Sequence, residues 1–225
     1  MQFTTPVPIK KAEKAINYTS QIMLLGSCFS DSIGEKFNYS KFKTLANPFG
    51  VLFSPTAIFT LIERVVDLRL FTKSDLVFHN ELWHCLEVHS QFSNPNYEQL
   101  LAVLNEELKK VNEFLKNTSH VFITFGTAWV YKHIDKNIRV ANCHKIPQKE
   151  FQKQLLSVEE VAHFSMLINQ KLKALNSNIS VVFTVSPVRH IKDGFVENNR
   201  SKAHLIAGIQ QANSSYFPSY EIMMD

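Results

Sequence analysis

Short apolar runs that end abruptly in small residues recur along this chain, and amphipathic segments separate them. The first run covers residues 22–25 and stops at Gly26; similar runs stop at Gly126 and at Ser186, and the loop 47–50 follows a fourth. Strands that alternate with helices favour parallel βαβ units. We therefore predict an α/β fold: a three-layer α/β/α sandwich with a mostly parallel five-stranded sheet in the order 2-1-3-4-5.

The predicted elements follow from hydrophobic periodicity and capping residues. The predicted strands of the sheet are 22–25, 42–46, 121–125, 179–185 and one that starts within 216–222. The predicted helices are near 31–37, from 55 to about 70, 96–116, from 157 to about 175, and 201–213. Two inserted β-hairpins are predicted, 76–78 with 82–86 and 129–131 with 138–141. The sequence shows no internal repeat and no linker, so we expect residues 1–225 to form a single domain.

Composition and charge exclude several classes of protein. The formal net charge is +4, and the Lys and Arg residues are scattered among acids rather than gathered in a stripe, which argues against a nucleic-acid partner. No apolar run reaches transmembrane length, and the first fourteen residues contain no apolar leader. Three cysteines without framework spacing are typical of reduced thiols, so we expect a cytoplasmic protein. No feature bears on the oligomeric state.

Ser27 stands directly after the first predicted strand and before a predicted helix. Ligands of open α/β sheets bind at the carboxyl ends of the strands, and a serine there can act as an acyl-transfer nucleophile when a base reaches it. The helix N-terminus behind Ser27 would supply aligned N–H groups. Two alternatives stay open: Ser27 makes a tight turn and nothing more, or Cys28 is the nucleophile, although a free cysteine more often packs in the core.

The stretch Gly-Ser-Cys-Phe-Ser at residues 26–30, with segments 89–93, 141–145 and 184–190, resembles the GSCFA family over almost the whole chain. That family is related to the SGNH/GDSL-type hydrolases. These enzymes carry a nucleophilic serine after strand one, a glycine after strand two, an asparagine after strand three and a late Asp-x-x-His block. The resemblance implies that Ser27 is the nucleophile and that Gly50 gives an oxyanion N–H.

The chain departs from that pattern in two places. The third block keeps Gly126 but lacks the asparagine, and Asn142 is the proposed replacement, folded back from the second hairpin. The Asp-x-x-His block is absent, since the chain stops at Asp225 where that region would begin, and we expect a C-terminally truncated sequence. Within the chain, His190 is the candidate base because it follows the fourth strand directly. His144 and His89 are further candidates for a base or a substrate contact.

A metal site is an alternative interpretation of five His and Cys residues: His84, Cys85, His89, Cys143 and His144. Neighbouring residues in a strand point to opposite faces, so each adjacent pair offers one ligand at most. We expect no metal and no organic cofactor. The predicted function is an SGNH-like serine ester hydrolase or acyltransferase acting on a small ester or an acylated carbohydrate. The alternative is a non-catalytic carbohydrate- or acyl-binding module on the same fold.

Overall fold

The computed structural model describes residues 6–9 and 11–224, so the segment in which no leader is expected lies partly outside the described residues. Within these residues the strands, β1 to β10, are Gln21–Gly26, Lys43–Ala46, Leu76–His79, Leu82–Cys85, His120–Phe125, Trp129–His133, Ile138–Val140, Phe151–Leu155, Ser180–Val185 and Tyr216–Phe217. The α-helices there, α1 to α6, are Cys28–Tyr39, Pro55–Val66, Tyr97–Lys116, Val158–Leu175, Phe195–Gln211 and Ser219–Met224.

Five strands form one parallel sheet in the spatial order β2-β1-β5-β9-β10. Numbered among themselves, these strands have the order 2-1-3-4-5, so the predicted α/β architecture is confirmed. The β3–β4 hairpin and a separate antiparallel sheet, β7-β6-β8, are inserted between strands of the main sheet.

The two faces of the sheet carry different layers. Met23, Ile123 and Phe183 belong to the main hydrophobic core, on the face where α2, α3, α4 and α5 pack against one another. Their neighbours Leu24 and Phe122 point the other way, toward α1. This alternation follows from the period of two in a β-strand, and it explains why the central strands read as continuous apolar runs.

Capping side chains fix where the helices begin. Ser54 accepts the N–H of Ala57 at 3.3 Å before Pro55 opens α2, and Ser157 forms a capping box with Glu160 at the start of α4. Asn96 caps α3 in the same manner. The sequence placed these helix starts to within one residue because the caps are local signals.

One strand was not predicted, and one predicted helix boundary was wrong. Strand β8 was missed, because its Gln and Lys residues hide the strand that pairs along β6. Helix α5 begins at Phe195 rather than at 201, since Gly194 at φ 114° precedes it and two asparagines with weak helix propensity stand in its first turns. The last strand starts at Tyr216, within the predicted segment 216–222, and has two residues; after Pro218 the chain turns into α6.

Within the described residues, none of the helices combines the length and apolar character needed to cross a bilayer.

Candidate functional site

Ser27 is the N-cap of α1, at the carboxyl end of β1. Its Oγ accepts the N–H of Phe29 at 3.3 Å, its own N–H donates to the carbonyl of Thr124 at 3.1 Å, and the residue is 0% exposed. Gly26 precedes it at φ 136°, and a Cβ there would lie 2.0 Å from the Thr124 carbonyl oxygen. The turn therefore requires glycine at 26, and it holds Ser27 at the edge of the sheet against β5.

Asn47 follows β2 and supports this turn. Its Oδ1 accepts the N–H of Gly26 at 2.8 Å, and its Nδ2 donates to Asp31 Oδ1 at 2.7 Å and to the Ser27 carbonyl at 3.4 Å. The residue has φ 41°, a conformation that asparagine tolerates better than most residues. Sequence reasoning treated residues 47–50 as the location of Gly50 and missed the role of Asn47 itself.

Gly50 lies at the end of the same loop. Its N–H donates to the carbonyl of Asn47 at 2.7 Å. A Cβ at this position would lie 2.3 Å from Cβ of His89, so His89 packs directly on the glycine. The N–H of His89 donates to the carbonyl of Phe49 at 3.1 Å. The structure therefore brings Gly50 and His89 together beside the β1–β2 end of the sheet.

Gly126 and His190 meet at the exits of β5 and β9. A Cβ on Gly126 would lie 3.4 Å from His190 Nε2, and the Gly126 N–H donates to the Phe53 carbonyl at 2.7 Å. The His190 ring packs edge-on against Phe53 at a centroid distance of 5.0 Å, and its buried Nε2 has no hydrogen-bond partner among the described residues. Burial and the charge of Lys202 lower the pKa of His190, so its imidazole is a neutral base at pH 7.

One face of helix α5 holds two loops, the one after β5 and the one after β9. Asn198 Oδ1 accepts the N–H of His190 at 2.9 Å, and Ser201 Oγ accepts the N–H of Ala128 at 2.7 Å. Lys202 Nζ donates to the carbonyls of Gly126 at 2.7 Å and Ser186 at 2.8 Å. Sequence reasoning missed all three α5 side chains. Their signal was present, because positions 198, 201 and 202 continue at helical spacing the apolar stripe of positions 205 and 209.

Asn142 and His144 lie in a turn against the end of β4. Asn142 Oδ1 accepts the N–H of His144 at 2.8 Å, and His144 Nε2 pairs with the Cys85 carbonyl at 2.8 Å. Burial lowers the pKa of His144 to about 4, and Nδ1 has no partner among the described residues. Within the described part of the chain, neither side chain is hydrogen-bonded to Ser27, whose Oγ is paired with the Phe29 N–H instead.

Cys28, the rival nucleophile, is exposed. The expectation that it packs in the core was wrong, because the first position of α1 is open to solvent. Cys85 and Cys143 are less accessible, and burial raises their thiol pKa values, that of Cys85 to about 12 and that of Cys143 to about 11.

Every strand exit described above lies within residues 21–225, the segment that matches the GSCFA family model. The chain belongs to the GSCFA family. Searches of curated proteins and of solved structures found no match to it. In this GSCFA chain the match begins at Gln21, the first residue of β1, and therefore includes Ser27, His190 and Lys202.

The GSCFA chain also contains an apolar cavity of about 300 Å³ under the first turns of α1. Phe29, Phe37, Phe122 and Phe217 are among the residues that line it, and Ser30 Oγ donates to Thr124 Oγ1 at 2.9 Å in its wall. Among the described residues, no group of three or more His, Cys, Asp or Glu side chains is arranged to hold a metal ion.

Proposed function

We propose that this GSCFA chain is a serine ester hydrolase or acyltransferase of the SGNH type, acting on a small ester or an acylated carbohydrate, with Ser27 as nucleophile and His190 as base. One observation carries the proposal. Nε2 of His190, which has no hydrogen-bond partner among the described residues, lies against Gly126 at the β5 exit, and β5 is the strand whose Thr124 carbonyl holds the Ser27 N–H. A neutral imidazole suits a general base, and a serine at a helix N-cap suits a nucleophile.

The reaction follows from these groups. Ser27 Oγ forms a bond to the ester carbonyl carbon, its proton moves to His190 Nε2, and the π pair moves onto the carbonyl oxygen. Collapse of this intermediate expels the alcohol oxygen, which takes the proton from His190. Water or an acceptor hydroxyl then attacks the acyl-serine in the same manner and restores Ser27.

The proposed contacts to the developing oxyanion and the substrate are Gly50, Gly126, Asn142, His144 and His89. The N–H groups of Gly50 and Gly126 donate to backbone carbonyls in this structure, and Ser27 has no exposed surface. Catalysis by this arrangement therefore requires the loops at the β1, β2 and β5 exits to open when substrate binds. Hydrogen bonds that are not yet aligned without substrate are common in active sites.

The proposal includes no cofactor and no metal. A cytoplasmic location is part of it, supported by the three free cysteines.

The deciding experiment is labelling by a fluorophosphonate probe, which reacts with activated serines. We expect Ser27→Ala to remove labelling and His190→Ala to reduce it strongly. The matched control is Ser54→Ala, which removes the N-cap of α2 in the way that Ser27→Ala removes that of α1. Full labelling of the Ser27→Ala protein would refute the proposal.

The buried Ser27 and the apolar cavity favour a second candidate, an acyl-binding module without turnover. This function predicts that medium-chain fatty acids bind with unchanged affinity in Ser27→Ala and more weakly when Phe122→Ser alters the cavity wall. Calorimetric titration of both variants tests it.

A further inference from the structure

Lys202 carries an ammonium group into the interior of the protein. The residue is 2% exposed, and Nζ donates to the carbonyls of Gly126 and Ser186. Among the described residues, no carboxylate pairs with it. A buried cation without an anion costs free energy that a neutral side chain of similar length would avoid. The buried ammonium at this position therefore lowers the free energy of unfolding.

The position of this charge connects it with the candidate site. Gly126 and Ser186 directly follow β5 and β9, and His190 belongs to the loop that leaves β9. Three titratable or aromatic groups face Nζ from other elements: His190, whose pKa it lowers, Cys28 on α1, and the Tyr220 ring on α6 at 5.8 Å. Gly126 lies two residues after Thr124, whose carbonyl accepts the Ser27 N–H, so the charge lies at the exit of the strand that pairs with the Ser27 turn.

The backbone donors at this edge are already occupied. The N–H groups of Ser27, Gly50 and Gly126 donate to the carbonyls of Thr124, Asn47 and Phe53. An ammonium group has three N–H donors. Lys202 uses two of them to bind the carbonyls of Gly126 and Ser186. A fixed positive charge in a partly desolvated site stabilises developing negative charge without reorganising.

We propose that Lys202 is a positioning residue of the Ser27 site: its ammonium fixes the β5 and β9 exits relative to each other and supplies the positive charge that stabilises the oxyanion formed when Ser27 attacks an ester. The catalytic part of this inference rests on the proposed function, whereas the placement of the charge at the β5 and β9 exits does not. Lys202 acts through the Gly126 and Ser186 carbonyls and through space, and it forms no bond with substrate.

The test compares Lys202→Met with Arg200→Met, which removes an exposed positive charge from the same helix. Fluorophosphonate labelling of Ser27 is expected to slow about tenfold in Lys202→Met. The NMR titration of His190 is expected to move to higher pH. Arg200→Met should change neither readout.

These readouts separate the two proposals. A His190 titration that moves to higher pH in Lys202→Met, in a protein that never labels at Ser27, would support the placement of the charge and refute the proposed function. An unchanged labelling rate and an unchanged His190 titration in Lys202→Met would overturn the inference about Lys202 alone.

A further measurement needs no variant. In the unmodified chain, the ammonium of Lys202, whose pKa burial lowers to about 8, loses its proton within reach of ordinary buffers. The His190 ring signals should show a second, smaller step at the pH where the Lys202 amine titrates by NMR. Absence of that step would contradict the inference even if Lys202→Met failed to fold.

Discussion

The side-chain oxygen of Asn47 accepts the backbone N–H of Gly26 at 2.8 Å, which ties the loop after β2 to the residue before Ser27. The amide nitrogen of the same side chain donates to Asp31 in the first turn of α1. One asparagine thus fixes the end of one strand, the loop after a second strand and the start of a helix. The orientation of Ser27 depends on a residue twenty positions away in sequence.

Exchanging the side chains at positions 47 and 31 should reveal how much their hydrogen bond stabilises the fold. Asn47→Asp sets a second carboxylate against Asp31 and removes a donor, so we expect the free energy of unfolding to fall by about 2 kcal/mol. Asp31→Asn in the same chain restores an amide–carboxylate pair with its direction reversed, and most of the loss should be recovered. Urea unfolding of the two single variants and the double variant measures the coupling. Strictly additive effects would show that the pair does not interact.

The ion pair between Arg64 and Glu87 should matter more than exposed pairs do. Arg64 is 1% exposed, and its guanidinium contacts both carboxylate oxygens of Glu87, at 2.6 and 2.7 Å. Glu87→Gln leaves a buried cation partly unpaired, so we expect a loss of about 3 kcal/mol in urea unfolding. Glu106→Gln breaks the exposed pair with Lys110 and serves as the control, with a much smaller effect. Equal losses would contradict this ranking.

His144 should make the fold sensitive to acid. Burial lowers its pKa in the folded chain to about 4, below the ordinary value of 6.5, so between these values the unfolded chain binds more protons. The free energy of unfolding therefore falls as pH drops from about 6.5 to 4, by about 3 kcal/mol from this residue. His144→Gln should flatten that dependence in urea unfolding between pH 4 and 7, whereas His163→Gln, an exposed change on α4, should leave it as in the unmodified chain.

Lys202 should make the free energy of unfolding depend on pH in the alkaline range. Burial lowers its pKa to about 8 from 10.5, so the unfolded chain binds more protons between those values and stability rises with pH there. The unmodified chain should gain about 3 kcal/mol relative to Lys202→Met between pH 7 and 10. Unfolding by urea at several pH values checks this, with Lys149→Met at an exposed position as the control. A constant difference would mean that Lys202 titrates normally in the folded state.

Local signals in the sequence were sufficient for the sheet and for the position of Ser27. The strand that stops at Gly26 and the helix that follows are encoded within nine residues, and Ser54 and Ser157 mark their helices in the same manner. Helix α5 was placed less well because its start depends on Gly194 and the loop before it rather than on a strong cap.

The contacts of the candidate site depend on residues far apart in the chain. Lys202 and Gly126 are 76 positions apart, and Asn47 and Gly26 are 21 apart, so no local pattern pairs them. His144 is a further example. The hairpin before it was predicted, but the contact of His144 with the Cys85 carbonyl depends on a positive φ at 144 and on burial against β4. Such pairings are set by packing, which spacing alone does not encode.

The spacing of Asn198, Ser201 and Lys202 on α5 restricts how this edge of the protein can vary in length. An α-helix turns by ~100° per residue, so deleting one residue between Asn198 and Ser201 would rotate the former away from the latter two. The His190 loop and the Gly126 loop could then no longer be held at the same time. Insertions and deletions among relatives of this chain should therefore accumulate in the loops and hairpins and be missing from the first two turns of α5.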